Sequence, residues 1–227
     1  MWIKICGNTN LEDAQAAVEA GADALGFIFA PSKRRISPRE AAAIVGKLPA
    51  KVEKIGVFVN QSPEIVLDTV EKARLTGVQL HGDEDAVFGR ELLQRVARRP
   101  FRFIKALRMT SPDQAITRGA ELQDGGFDAV LLDSASGADR GGSGETFVWN
   151  EAEPVVRFLG RKFKVIVAGG LTAANVAKAV ELFQPWGVDV VSGVESEPGK
   201  KDHEKLRAFV SAAKRQDNTE TRTHGED

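Results

Sequence analysis

Eight short apolar stretches recur along the chain, separated by longer segments with a helical pattern. Each stretch is rich in valine, isoleucine, leucine and phenylalanine, and the runs are continuous rather than alternating. Continuous apolar strands are typical of parallel sheets, in which both faces are covered. The sequence therefore predicts eight parallel strands, at residues 2–6, 24–29, 54–59, 78–80, 102–107, 128–133, 164–168 and 188–191.

The segments between these strands carry apolar residues at spacings of three and four, as amphipathic helices do. Asn10 is the predicted N-cap of the first helix and Gly21 its end, whereas Ser62 and Pro63 open the third. Strands and helices therefore alternate. The clearest helical segments are residues 11–20, 38–48, 63–75, 85–98 and 173–183.

The spacing of the units constrains the architecture. Eight units in about 214 residues leave roughly 27 residues each, close to the minimum for a strand, a helix and two loops. We therefore predict one α/β domain, a single (β/α)8 TIM barrel over residues 1–214. An open doubly wound sheet is the alternative, but neither G-x-G-x-x-G nor a Walker lysine motif follows any strand. Residues 215–227 are polar and are expected to form a disordered tail.

The composition argues against several kinds of partner and site. With 31 Lys and Arg against 32 Asp and Glu, the net charge of −1 gives no reason to expect nucleic acid or an anionic membrane as a partner. One cysteine excludes an internal disulfide, and three histidines leave no cluster with metal-ligand spacing. The N-terminus lacks a signal-like segment, and no apolar run approaches the ~18 residues of a membrane span. We expect a cytoplasmic protein.

Cys6 is the first candidate for chemistry, because active sites of these barrels lie at the C-terminal ends of the strands. It ends the first predicted strand and precedes Gly7 and Asn8, where a substrate can reach the thiol. Lys4 projects to the same side, and its ammonium would lower the thiol pKa from the ~8.5 of model peptides. The alternative is a small buried hydrophobic residue.

Asp133 ends the sixth predicted strand and reaches the same rim. The long segment that follows, residues 134–145, is rich in glycine and is typical of a loop that closes over a ligand. A turn or helix-cap role for Asp133 is the alternative.

The sequences of two loops predict a phosphate site. Strand seven runs into Gly169 and Gly170, and strand eight into Ser192 and Gly193. The loops after these strands are the favoured phosphate site of such barrels, because glycine amides and a helix N-terminus can face the anion. Tight turns are the alternative explanation.

Further polar residues lie at or near the same rim. Arg34, within a basic triplet after strand two, is a candidate anion contact, although such a triplet also fits a solvated surface. His81 follows strand four, where hydrogen bonding or stacking is more common than a base role. Lys105 and Asp189 interrupt apolar strands, and Asp189 either pairs with Lys4 inside the barrel or projects outward.

Together these residues resemble the phosphoribosylanthranilate isomerase family of tryptophan biosynthesis. The likeness covers residues 2 to 214 in order, and the set of motifs is specific although each motif alone is modest. The matching motifs are KICG (4–7), GADALGFIF (21–29), SKRRISP (32–38), GVFVN (56–60), VQLHG (78–82), LD (132–133), GGSG (141–144), TF (146–147), AGGL (168–171), VDV (188–190), SGVE (192–195) and PG (198–199).

The resemblance implies an isomerase that converts N-(5-phosphoribosyl)anthranilate to the 1-deoxyribulose 5-phosphate product, an Amadori rearrangement without a cofactor. On the family pattern, Cys6 is the general base, Asp133 the general acid and Arg34 the contact to the anthranilate side. The phosphate grip carries over to the residues after strands seven and eight, and His81 to substrate binding. The oligomeric state is left open between monomer and homodimer.

The chain departs from the family pattern at the bulky Arg35, at Glu145 where a lysine is common, and in the polar tail. Indole-glycerol-phosphate synthase shares the barrel, but its chemistry calls for strand-end lysines and glutamates. A non-catalytic phosphosugar-binding barrel would need no opposed acid and base. A bifunctional histidine/tryptophan isomerase is a weaker alternative, because its two-phosphate, two-aspartate pattern is missing.

Overall fold

Eight parallel strands form a closed barrel in the computed structural model, which describes residues 1–96, 100–133 and 149–220. The predicted barrel fold is confirmed, and each strand begins and ends within one residue of its expected position. The strands are β1 (Trp2–Ile5), β2 (Ala24–Ile28), β3 (Glu53–Phe58), β4 (Gly77–Leu80), β5 (Arg102–Arg108), β6 (Ala129–Asp133), β7 (Lys164–Ala168) and β8 (Gly187–Val190).

Helices cover the outside of the barrel. Asn10 caps the first by accepting the amide of Asp13, and Gly21 ends it in the left-handed region. Ser37 and Glu40 form a capping box at the second. The described helices are α1 (Leu11–Ala20), α2 (Pro38–Val45), α3 (Pro63–Lys72), α4 (Ala86–Arg95), α5 (Pro112–Glu121), α6 (Trp149–Leu159), α7 (Val176–Phe183) and α8 (His203–Glu220).

Alternate strand residues build two apolar layers. Residues such as Ile3, Ile5 and Leu25 belong to the larger layer that includes the helix side chains. Trp2 and Ala24 belong to a smaller cluster formed by the other face of the strands, inside the barrel. In β1 this alternation places Lys4 and Cys6 on the inner side with Trp2, so both polar groups point towards the barrel axis.

A short connection follows β8 at the rim. Ser192–Val194 form a 3-10 helix, and the hairpin of β9 (Glu195–Glu197) and β10 (Lys200–Lys201) leads into α8. The sequence analysis did not predict this hairpin. It matters because it brings Glu195 and Lys201 next to the loops after β1 and β2.

Several expected boundaries were wrong. The second helix ends at Val45 rather than residue 48, and the third at Lys72 rather than residue 75. The fourth spans Ala86–Arg95, with Asp85 as its N-cap. The last expected helix begins at Val176, because Thr172 and Asn175 form a hydrogen-bonded turn before it.

The expected tail boundary after residue 214 also needs correction. Helix α8 continues to Glu220, so residues 215–220 are helical rather than disordered. A polar composition permits a helix to extend once its earlier turns are packed on the barrel. The rest of the expected tail, residues 221–227, lies outside the described residues.

Within residues 1–96, 100–133 and 149–220, no helix combines the length and apolar character that crossing a bilayer requires. The same described ranges contain no group of three His, Cys, Asp or Glu side chains arranged to hold a metal ion.

Candidate active site

A cavity of about 150 Å³ opens among the C-terminal ends of the strands. It brings together every predicted site residue except Arg34. The polar and glycine residues in its wall are Cys6, Gln79, His81, Asp133, Gly169, Gly170, Asp189, Ser192 and Gly193.

Cys6 follows β1 directly, and its surroundings fix its position. Its side chain lies against Gly26 of β2, where a Cβ would overlap Sγ, so only glycine leaves room for the thiol. Asn8 donates to the carbonyls of Ile5 and Gly26, at 2.8 and 3.1 Å. Lys201 donates to the carbonyl of Cys6 itself. The thiol is thus held in the cavity wall with 3% of the residue exposed.

The expected lowering of the Cys6 pKa was wrong. Burial raises the pKa of the thiol, and the nearby Asp189 carboxylate adds to that effect, more than the Lys4 ammonium lowers it. Lys4 is itself paired with Asp189, its Nζ lying 2.8 Å from Oδ1. The predicted inward pairing of Asp189 is confirmed, and the Asp189 carboxylate offsets part of the effect of the Lys4 charge on the thiol.

Asp133 ends β6 and faces the cavity with His81. The His81 Nε2 lies 3.4 Å from Oδ2 of Asp133. On the other side of the ring, Nδ1 lies 2.8 Å from the amide nitrogen of Gln79. Gln79 is buried, and its Oε1 has no hydrogen-bond partner in the described part of the chain. Gln79, His81 and Asp133 are therefore consecutive neighbours, and the carboxyl group lies at one end of this set.

The glycine loops line the same cavity. Gly169 and Gly170 have positive φ angles, 88° and 63°, which L side chains rarely adopt. In the residues described, the backbone N–H groups of Gly169, Gly170, Ser192 and Gly193 donate no hydrogen bond to another residue. A set of unsatisfied amides on two adjacent loops suits an oxyanion such as phosphate.

Arg34 lies at the edge of the site rather than in the cavity wall. Its guanidinium makes a two-point contact with Glu195, Nε to Oε1 at 2.9 Å and Nη2 to Oε2 at 2.7 Å. A Cβ at Gly7 would meet the Arg34 side chain, so Arg34 passes directly over the loop that follows Cys6. Arg35 is exposed. Arg34 is thus a cation held in place beside the cavity, whereas the Arg35 side chain is exposed to solvent.

Glu195, Lys201 and Gln79 are the residues whose roles the sequence reasoning missed. Lys201 is fully buried and bridges Glu195, 3.2 Å away, to the Cys6 carbonyl. Burial lowers the pKa of Lys201, and Glu195 opposes that change. Glu195 lies in the matched SGVE motif (192–195), but no role was predicted for it. An acidic residue next to a glycine-containing loop was the available signal. Nothing in the sequence separates Lys201 from the adjacent exposed Lys200.

The loop expected to close over the ligand, residues 134–145 with Glu145, lies outside the described residues.

Comparisons with known proteins agree with this geometry. The family model described as N-(5'phosphoribosyl)anthranilate (PRA) isomerase matches residues 3–212. The chain is 45% identical over 213 residues to the N-(5'-phosphoribosyl)anthranilate isomerase of Trichlorobacter lovleyi, covering 93% of this chain and 97% of the relative.

Solved structures show the same likeness. Monomers generated from the dimeric phosphoribosylanthranilate isomerase of Thermotoga maritima superpose with a TM-score of 0.80 at 39% identity. A phosphoribosyl anthranilate isomerase in complex with reduced 1-(o-carboxyphenylamino)-1-deoxyribulose 5-phosphate gives 0.79 at 38% identity. Each match covers 94% of this chain and 98% of the relative. The chain belongs to the N-(5'-phosphoribosyl)anthranilate isomerase family.

Proposed function

We propose that this protein is an isomerase that converts N-(5-phosphoribosyl)anthranilate to 1-(2-carboxyphenylamino)-1-deoxyribulose 5-phosphate in tryptophan biosynthesis. The observation that carries the proposal is one cavity with a thiol and a carboxyl group in its wall and a set of free loop amides beside them. Acid, base and anion site are the three groups that this reaction requires.

The ring opening and the removal of the C2 proton each use a residue of the cavity. Asp133 protonates the furanose ring oxygen, the C1–O bond breaks, and the nitrogen lone pair forms an iminium. Cys6, as thiolate, then removes the C2 proton, and the electron pair flows into the iminium to give an enolamine. Loss of the C2 hydroxyl proton and protonation of C1 complete the ketose. The iminium is the electron sink, so no cofactor takes part in the steps.

Three further contacts bind the substrate in this proposal. The amides of Gly169, Gly170 and the loop from Ser192 hold the phosphate. Arg34, held by Glu195, faces the carboxylate of the anthranilate group as a planar cation. His81 lies next to Asp133 and contacts the sugar of the substrate.

The described wall of the cavity disfavours the synthase alternative. Indole-glycerol-phosphate synthase chemistry calls for lysines and glutamates at the strand ends, and the described wall contains neither. Lys105 is directed to the carbonyls of Leu80 and Gly82 instead. A non-catalytic binder would retain the glycine loops but would have no use for Cys6 opposite Asp133.

A single-turnover assay with phosphoribosylanthranilate separates these functions. We expect the substrate's fluorescence to decrease on mixing with purified protein, with the ketose product recovered. Cys6→Ser and Asp133→Asn should each reduce turnover by about 10²–10⁴-fold while Michaelis constants move much less. Alkylation of Cys6, the only thiol, should abolish activity, and a bound substrate analogue should slow the alkylation.

Two outcomes would contradict the proposal. Binding of the substrate without a fluorescence change would point to the non-catalytic barrel. Near-normal turnover by Cys6→Ser would remove the thiolate from the mechanism and return Cys6 to a structural role.

The relative from Thermotoga maritima is described as dimeric, with monomers generated from it. Monomer and homodimer therefore both remain candidates for this chain, and sedimentation velocity at micromolar concentration distinguishes them.

A further inference from the structure

Gln79 and His81 form a pair that faces the proposed acid. Both residues come from β4 and the residue just after it, two positions apart, so their side chains share the inner face. The amide Nε2 of Gln79 lies 2.8 Å from Nδ1 of His81, and the opposite ring nitrogen lies 3.4 Å from Oδ2 of Asp133. The imidazole thus stands between an amide and a carboxyl group.

In this orientation of the Gln79 side chain the amide nitrogen donates the hydrogen bond and Nδ1 of His81 accepts it. A neutral imidazole then carries its proton on Nε2, the nitrogen that faces Asp133. We propose that Gln79 is a positioning residue, which fixes His81 in the Nε2–H tautomer and thereby sets which oxygen of Asp133 carries the acid proton. This inference rests on the proposed role of Asp133 as general acid.

The tautomer matters because Asp133 must keep its proton available to the substrate. An Nε2–H group 3.4 Å from Oδ2 favours Oδ2 as the unprotonated oxygen, which leaves the acid proton on the other oxygen. In the opposite tautomer, a bare Nε2 would accept a hydrogen bond from the carboxylic acid and hold the proton that the sugar oxygen needs. Selection of a tautomer by the partner of the distal nitrogen is a general means of fixing histidine function.

The backbone around His81 is fixed, so the proton position rather than the ring position is the remaining variable. The amide of His81 donates to the carbonyl of Phe58 at 2.8 Å. Glu84 accepts the amides of Gly82 and Asn60, at 2.9 and 2.7 Å. Lys105 donates to the Gly82 carbonyl at 2.6 Å and pairs with Glu84. These bonds anchor the loop on both sides of the imidazole.

The oxygen of Gln79 is the atom of this pair that the described residues leave without a partner. Gln79 is 2% exposed and lines the cavity, and its Oε1 has no partner in the residues described. A buried acceptor without a partner is costly unless something else satisfies it. In this orientation the amide nitrogen faces His81, and the oxygen is left for a group that enters the cavity. With the amide turned over, Oε1 would accept from Nδ1–H and the nitrogen would lack a partner, so a measurement of the tautomer also decides the amide orientation.

The tautomer can be measured by ¹⁵N NMR of histidine-labelled protein without substrate. The chain has three histidines, and loss of a signal set in His81→Asn assigns His81. Spectra are recorded about two pH units above the ~6.5 reference pKa of histidine, where the two neutral tautomers differ in which nitrogen carries the proton. We expect wild type to show the proton on Nε2.

Gln79→Glu reverses the bond, because a carboxylate can only accept. Nδ1 should therefore carry a proton in that variant, whereas Gln94→Glu, the same change on the exposed face of α4, should leave the spectrum unchanged. Gln79→Met, which neither donates nor accepts, should give a mixture of tautomers and serves if the glutamate variant does not fold. A wild-type Nδ1–H tautomer, or no change in either variant, would overturn the inference.

Kinetics tests the consequence separately. Gln79→Glu should lower kcat at least about tenfold, because a proton on Nδ1 changes the tautomer or the charge of the imidazole beside the acid, and Gln79→Met should lower it less. KM should change by less than about threefold. The NMR result does not depend on activity, so an inactive wild-type protein would contradict the proposed function and leave the tautomer assignment standing. An active wild type with full kcat in Gln79→Glu would contradict the inference alone.

Discussion

Lys4 and Asp189 are opposed residues in the β1–β8 ladder that closes the barrel, and Lys4 Nζ lies 2.8 Å from Asp189 Oδ1. The Lys4 side chain is fully buried and that of Asp189 is 6% exposed. Burial alone would lower the pKa of Lys4, but the Asp189 carboxylate and the Cys6 side chain together outweigh it and the net direction is upward. The barrel is therefore closed around a charged pair that lies directly beneath Cys6.

Removing one member of this pair should be far more harmful than removing both. Lys4→Met leaves a buried carboxylate without its partner, a change that typically costs about 3–5 kcal/mol. Lys4→Met/Asp189→Val exchanges the pair for apolar side chains and should recover most of that loss. Urea unfolding of the three proteins gives the comparison, and a double variant as unstable as the single one would mean that packing, not charge, sets the cost.

The strands were predictable because each is buried on both faces, and burial leaves an unbroken apolar run in the sequence. The ends of the helices were less predictable. Leu48 packs against the core and Leu75 is buried, although both lie beyond the last turn of their helices. The apolar period therefore continues past the point where the helix stops.

The residue types of the site could be predicted from their positions at the strand ends. The interactions between those residues could not. Cys6 with a lysine two residues away suggests a lowered thiol pKa, whereas its actual direction depends on burial and on Asp189, far away in sequence. The same holds for Arg34, whose partner Glu195 is 161 residues distant. Such pairings arise from the closure of the barrel, which the local sequence does not encode.

The raised pKa of Cys6 predicts the pH dependence of the reaction. Thiolate is the minor form at neutral pH, so kcat/KM should rise with pH through a midpoint above that of free cysteine. Alkylation of Cys6 by a small uncharged reagent should follow the same midpoint. Asp189→Asn removes a charge that raises the pKa, so its midpoint should be lower. A wild-type midpoint at or below that of free cysteine would contradict this account.

Substitution of Gly170 should separate phosphate binding from stability. A Cβ there meets no atom of the described residues within 4 Å, so among them Gly170→Ala adds only the strain of a positive φ, about 1–2 kcal/mol. The added methyl lies beside the free amides and should weaken binding of inorganic phosphate, measured by calorimetry.

Two glycines serve as controls for that experiment. Gly21→Ala introduces the same kind of strain at φ 98°, at the end of α1, and should leave phosphate affinity unchanged. Gly193→Ala should be more destabilising, because its Cβ would collide with the Leu171 carbonyl. Equal phosphate affinity in Gly170→Ala and wild type would place the anion site elsewhere.

Arg34 and Arg35 are adjacent in sequence yet should respond differently to the same change. Arg34 is held by Glu195 over the loop after Cys6, whereas Arg35 is exposed. If Arg34 meets the anthranilate carboxylate, Arg34→Met removes a charge-assisted contact of ~1.5–3 kcal/mol, which corresponds to an increase in KM of about 10- to 150-fold. Turnover at saturation should fall much less, because neither Cys6 nor Asp133 is altered. Arg35→Met should match wild type in steady-state assays, and equal Michaelis constants for the two variants would show that Arg34 does not contact the substrate.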